Sequence, residues 1–113
     1  MPAQRYLDKF RYVSNLTFIE MSGYAALADP TRRKILKLLR AGSLSAGEIA
    51  EKFHLSKPTL SHHFRVLRAA GLVRAERRGT SIVYTLQSNV LEDLAAELLD
   101  LVPAQARLQR RKS

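Results

Sequence analysis

The sequence predicts a mainly α fold of the α+β class, with short capped helices, one two-stranded β-hairpin and a closing helix. Three observations predict it. Helix-start and helix-stop residues punctuate the chain at intervals of about 9–15 residues between Asp29 and Gly71. Two short runs rich in Val, Ile, Thr and Tyr follow at once, separated by Arg78-Gly79-Thr80. A chain of 113 residues without cysteine is the length of one domain that can bury a core without disulfides.

The elements follow in order. Asp29-Pro30 precedes Thr31–Arg40, with Pro30 at the favoured first helical position. Ile35, Leu38 and Leu39 fall at i, i+3 and i+4 and give that helix an apolar face, and Gly42 is its stop. Ser45-Ala46-Gly47-Glu48 has the S-x-x-E form of a capping box and opens a helix to about Phe53. His54-Leu55 reads as a turn. Ser56 is the N-cap of a helix to Ala70, with Pro58 tolerated in its first turn and Gly71 ending it. Helix, short turn, helix is the helix-turn-helix pattern. The hairpin of Leu72–Arg77 and Ser81–Leu86 is then a wing, spanning 72–86. Ser88 or Asn89 caps a last helix, 89–102, closed by Pro103. The domain therefore occupies 22–102, and the tail 103–113 is basic and expected to be disordered.

Composition excludes several functions. Zero cysteine removes disulfide frameworks, zinc–thiolate sites, iron–sulfur clusters and thiol chemistry. No apolar run approaches the roughly 18 residues of a membrane span, and no signal-peptide core is present, so membrane insertion is not expected and the cytoplasm is the expected location. No nucleophile, base and orienting group fall together, and Ser61 and His62 are helical neighbours that do not face each other, so the chain is not read as an enzyme. The net charge is +9, and it is uneven. Residues 30–79 hold twelve Lys and Arg against three acids, net +9. Residues 88–102 hold four acids and no base, and 103–113 hold four bases. A strongly basic middle points to a polyanion.

The helix 56–70 shows how that polyanion would be met. At roughly 100° per residue, Leu60, Phe64 and Leu67 share one face, flanked by His63 and Val66. Pro58, Ser61, His62, Arg65 and Ala69 share the opposite face, with Lys57 and Arg68 at its border. That face carries hydroxyl, imidazole and guanidinium groups and no acid. It suits the major groove of double-stranded DNA: Arg65 can pair bidentately with guanine, and Ser61 and His62 can reach base edges. Ser56, Lys57 and Thr59, at the helix N-terminus, are placed for phosphates.

The stretches A-L-A-D-P-T-R-R-K-I-L-K-L-L (Ala26–Leu39), S-A-G-E-I-A-E-K-F (Ser45–Phe53), L-S-K-P-T-L-S-H-H-F-R-V-L (Leu55–Leu67) and A-G-L-V (Ala70–Val73) resemble the ArsR/SmtB family of bacterial repressors. The "S-K-P-T-L-S-H-H" wording is most similar to its autorepressor branch. The resemblance implies a winged helix-turn-helix homodimer that represses transcription from an imperfect palindrome in its own promoter region. It assigns Ser56, Lys57, Thr59, Ser61, His62 and Arg65 to the recognition helix, and Arg74, Arg77, Arg78 and Gly79 to the wing. The chain departs from the metal-sensing members, which carry a cysteine-bearing segment where Leu44–Ile49 stands here. A second family site type uses His and acids on the last helix, which here has Glu92, Asp93, Glu97 and Asp100 but no His. Adjacent His62 and His63 point to different sides of a helix and cannot share one ion. No metal site and no cofactor are expected. His63 is read as a partly buried structural residue and His54 as a surface turn residue.

The last helix carries more apolar surface than its own domain needs. Val90, Leu91, Leu94, Ala95, Leu98, Leu99, Leu101 and Val102 fill an arc of roughly 180°, against the little over 100° that suffices for one neighbour. A two-fold mate is the simplest cover, with Leu91, Leu94, Leu98, Leu101 and Val102 as the dimer interface; residues 1–20 are the alternative. That N-terminal extension holds Tyr6, Phe10, Tyr12 and Phe18, half of the eight aromatic residues. Two readings stay open for it: an upstream translation artefact with the native start at Met21, or an added helix over about Gln4–Val13 in the dimer interface, which the aromatic content favours. A protein-interaction module whose basic face meets an acidic partner is the functional alternative to DNA binding. The inducing signal, a protein or a small molecule if there is one, is not legible.

Overall fold

The computed structural model describes residues 22–106, so the expectations for residues 1–20 and for most of the basic tail lie outside the described residues. A helical segment over residues 22–27 (α1) leads into α2 (Pro30–Leu38), which tightens into a 3₁₀ turn, Leu39–Ala41. Then come β1 (Leu44–Ser45), α3 (Ala46–Ala50), α4 (Lys57–Ala69), β2 (Val73–Arg78), β3 (Ser81–Leu86) and α5 (Ser88–Leu99). A last helical turn covers residues 104–106.

Local chemistry sets most of these boundaries. The Asp29 side chain accepts the Arg32 backbone N–H at 3.0 Å and Pro30 opens α2. At α3 both halves of the capping box form: Ser45 Oγ accepts the Glu48 N–H at 3.1 Å, and Glu48 Oε1 accepts the Ser45 N–H at 2.9 Å. Ser56 Oγ accepts the Thr59 N–H at the start of α4. The far end of α4 closes in a Schellman motif: the Gly71 N–H donates to Arg68 O at 2.9 Å and the Leu72 N–H to Leu67 O at 3.0 Å, with Gly71 at φ +74°.

Several boundaries differ from the sequence expectation: α2 gives way to its 3₁₀ turn after Leu38 rather than running to Arg40, and β2 is Val73–Arg78 rather than Leu72–Arg77, which leaves Gly79-Thr80 as a two-residue turn. α3 ends at Ala50 rather than near Phe53, because the N–H groups of Lys52 and Phe53 turn back to carbonyls three residues earlier. α5 begins at Ser88 with Gln87 in the cap position and no side-chain cap, so neither Ser88 nor Asn89 is the cap. The Gln87 N–H is held by Leu72 O at 2.9 Å, so the end of the sheet pins the point where the helix starts. The α-helix stops at Leu99, and tighter turns carry the chain through Val102.

The hairpin also has a third strand. The sheet order is β1-β3-β2, with Leu44 opposite Tyr84 and Ser45 opposite Val83. A two-residue strand carries no alternation that a sequence can show, and the Ser43–Thr85 hydroxyl bond of 2.7 Å beside it is a long-range contact. The turn between β2 and β3 puts Gly79 at its first central position with φ +62°, the conformation a type II′ loop requires there.

One core joins these layers. Ile35 of α2, Ile49 of α3, Leu67 of α4 and Leu72 are its largest fully buried side chains, each contributing roughly 1.5–3 kcal/mol by burial. Phe64 of α4 stacks on Tyr84 of β3, ring centroids 4.4 Å apart and planes 24° apart. This contact seats α4 on the sheet. Burial raises the Tyr84 hydroxyl above its ordinary pKa. On the other side Gly23 lets α1 lie against α5: a Cβ there would stand 2.7 Å from a Leu94 methyl.

Candidate nucleic-acid interface

The facing of α4 agrees with its sequence pattern. Leu60, Phe64 and Leu67 are buried, His63 and Val66 are half-buried, and Ser56, Lys57, Pro58, Thr59, Ser61, His62, Arg65, Arg68 and Ala69 are exposed. Small side chains at Ser61 and Ala69 keep the centre of the exposed face low, so the helix can sit deep in a groove. The Ser56 and Thr59 hydroxyls are 2.8 Å apart at the helix N-terminus. Pro58 has no N–H and the Thr59 N–H is taken by Ser56, so the Lys57 N–H is the first-turn backbone donor left beside this hydroxyl pair for a phosphate.

His63 is structural, and its partner was not foreseen. Arg32 Nη1 lies 3.2 Å from His63 Nδ1. A guanidinium can only donate, so Nδ1 is the acceptor and the neutral ring carries its proton on Nε2. Asp29 Oδ2, 3.9 Å from the same nitrogen, is a nearby charge rather than a hydrogen-bond partner. The same guanidinium donates from Nε to Ala26 O at 2.8 Å and from Nη2 to Ala25 O at 3.0 Å. Arg32 thus satisfies the last carbonyls of α1 and braces the inner edge of α4 at once. Nothing in helical periodicity marks it, because its three partners lie on other elements.

The wing arginines divide by strand register. Val73 pairs with Leu86, Ala75 with Tyr84 and Arg77 with Ile82, all on the face that meets Phe64 of α4. Arg74, Glu76 and Arg78 stand on the other face, opposite Thr85, Val83 and Ser81. Arg77 therefore extends the α4 side of the hairpin past the core, whereas Arg74 and Arg78 point away from it. All three are exposed. Arg78 Nη2 also contacts Glu76 Oε2 at 3.4 Å, both side chains mostly in water. Such a pair contributes about 0–1 kcal/mol, so a phosphate can displace it.

No group of three or more His, Asp or Glu side chains that could hold a metal ion occurs among the described residues. His62 is exposed, with its ring centroid 5.8 Å from that of His63 and the planes 54° apart.

The model of the bacterial regulatory proteins of the arsR family matches residues 29–75, which run from the N-cap of α2 through α4 into β2. The chain is 44% identical over 79 residues to the transcriptional repressor SdpR of Bacillus subtilis (strain 168), covering 70% of this chain and 88% of that one. This chain belongs to the arsR family. It is a transcriptional regulator, and the family's proteins and its relatives are regulators rather than enzymes. Another arsR-type relative, the arsenical resistance operon repressor of Staphylococcus xylosus, is 40% identical over 76 residues, 67% of this chain and 72% of that protein. Among solved structures, an ArsR-like transcriptional regulator from Rhodococcus sp. RHA1 superposes with a TM-score of 0.67 at 30% identity, over 86% of this chain and 89% of that one. The winged helix-turn-helix architecture is thus the family's. No helix among the described residues is long and apolar enough to cross a membrane.

Proposed function

We propose that this arsR-family regulator is a homodimeric cytoplasmic repressor whose domain spans residues 22–102 and which binds a palindromic operator, one half-site per protomer. α4 enters the major groove, with Ser61, His62 and Arg65 at base edges and Ser56, Lys57, Thr59 and Arg68 on phosphates. The wing lies on the adjacent backbone or minor groove through Arg74, Arg77 and Arg78. The carrying observation is the acid-free exposed face of α4 beside a hairpin with three exposed arginines. The four acids of residues 88–102 lie on another element, where they do not oppose the duplex.

Dimerisation is supported by α5 and the turn after it, where Leu98, Leu99, Leu101 and Val102 stay exposed. Leu94 is covered by α1 and Leu91 packs against the core, so these two steady the protomer behind the interface. Two-fold symmetry would set the α4 helices about 34 Å apart, one turn of DNA. A protein or small-molecule inducer would release the operator. Footprinting on the DNA upstream of its own gene tests the reading. Two protected half-sites about one turn apart, lost on scrambled DNA, are expected; equal affinity for both DNAs at every salt concentration would overturn it.

A further inference from the structure

An open groove of about 430 Å³ lies between α2 and α5, away from the exposed face of α4. Its walls are Leu27 at the end of α1, Pro30 and Leu36 of α2, Leu86 at the end of β3 and Leu91 of α5. Its rim is made of Arg33, Lys34, Lys37 and Arg40. Lys34, Lys37 and Arg40 recur every three residues along one side of α2 and its 3₁₀ turn, and Arg33 lies four residues before Lys37, so all four ammonium and guanidinium heads border the same apolar trough. Their aliphatic stems extend the trough and their charges stand at its edge. Arg33 is fixed there, donating from Nη1 to Leu27 O at 2.7 Å. Among the described residues none of the four is in an ion pair.

We propose that this groove binds a small amphipathic carboxylate, a molecule with one acidic head and an apolar body, such as a medium-chain fatty acid. The volume falls in the range of small-molecule sites, and an apolar trough with a few charged groups is their usual make-up. The charge argument selects the head group. Four unpaired cations on one rim call for an anion, and a carboxylate takes charge-assisted bonds from both Arg and Lys. It also argues against this chain's own ends as the occupant. Residues 1–20 carry a net +1 and residues 103–113 a net +4, so neither complements a cationic rim. The site is independent of the operator-binding surface: no residue lining it belongs to α4 or to the wing tip.

Titration of the full chain with decanoate, followed by methyl resonances, tests the site without DNA. Saturable shifts are expected at Leu27, Leu36, Leu86 and Leu91. Decanol, of the same length but uncharged, should bind about tenfold more weakly, the loss expected when a charged hydrogen-bonding head is removed. Lys34→Gln/Lys37→Gln changes two exposed side chains and should weaken decanoate about as much while leaving decanol unchanged. Decanol binding as tightly as decanoate would overturn the proposal. So would shifts centred on Leu98, Leu99 and Leu101, or an absence of saturation.

Discussion

α4 and α5 are nearly the same length, 13 and 12 residues, and both are amphipathic, yet they are left in opposite states. α4 buries Leu60, Phe64 and Leu67 and shows water a polar, cationic face. α5 buries Leu94 alone, and its C-terminal end shows water Leu98 and Leu99 at 47% exposure and then Leu101 at 79%. The first helix is finished within the protomer, and what remains outside is chemistry for a polyanion. The second leaves apolar area outside, which the proposed dimer would cover. In the proposed dimer one small domain would separate the two tasks by giving each its own helix, with the core and the Arg32 brace between them.

The largest test of this contrast is Leu98→Glu. A charge in the middle of a buried apolar interface costs several kcal/mol if it finds no partner. Light scattering should show monomers and operator affinity should collapse, while the circular dichroism of the fold stays intact. A soluble variant of unchanged dimer mass would move the interface elsewhere.

On α4 the expected effects are smaller. Arg65→Ala should cost about 1–3 kcal/mol per half-site and flatten the preference among operator variants. Equal weakening on operator and scrambled DNA would make Arg65 a phosphate clamp. Arg78→Ala should weaken all sequences alike and lower the salt slope by about one per half-site. Glu76→Gln sharpens this: with its carboxylate partner gone, Arg78 should bind DNA more tightly, by at most about 1 kcal/mol. Loss of operator binding alone in Arg78→Ala would mean that the wing reads sequence, as an arginine in a narrow minor groove does.

The smallest effect belongs to the region between the two helices. The Arg32 backbone N–H donating to Asp29 holds that carboxyl below its ordinary pKa against a desolvation that opposes it, with electrostatic help from the neighbouring His63 and Arg32 side chains. A depressed folded pKa adds stability above the ordinary carboxylate range, and that stability fades as the pH falls through the folded value. Urea unfolding from neutral pH down to about pH 3 should therefore show a loss below about pH 4 that Asp29→Asn reduces, since Asn caps a helix nearly as well. Glu48, lowered by the Ser45 backbone N–H, contributes the same sign and keeps part of the acid loss in that variant. An unchanged pH profile in Asp29→Asn would show that the cap carries no net charge term.

How much was legible follows from how far apart the interacting residues lie. The caps at Asp29, Ser45 and Ser56, the Gly71 stop and the two faces of α4 depend on partners within about five residues. Spacing alone reveals them, and the family resemblance rests on the same stretch. The absence of thiolates needs only a count. Tertiary structure alone decided the rest, because each remaining feature joins residues far apart in the chain. Leu44 and Ser45 become a strand only because Tyr84 and Val83 stand beside them. Gln87 starts α5 because Leu72 holds its N–H. Arg32 matters through carbonyls of α1 and a ring of α4. The apolar arc of α5 looked uniform in sequence, but Gly23 brings α1 over Leu94 and leaves Leu98 to Val102 uncovered. Helical periodicity says which side chains share a face; only packing says which part of that face is already taken.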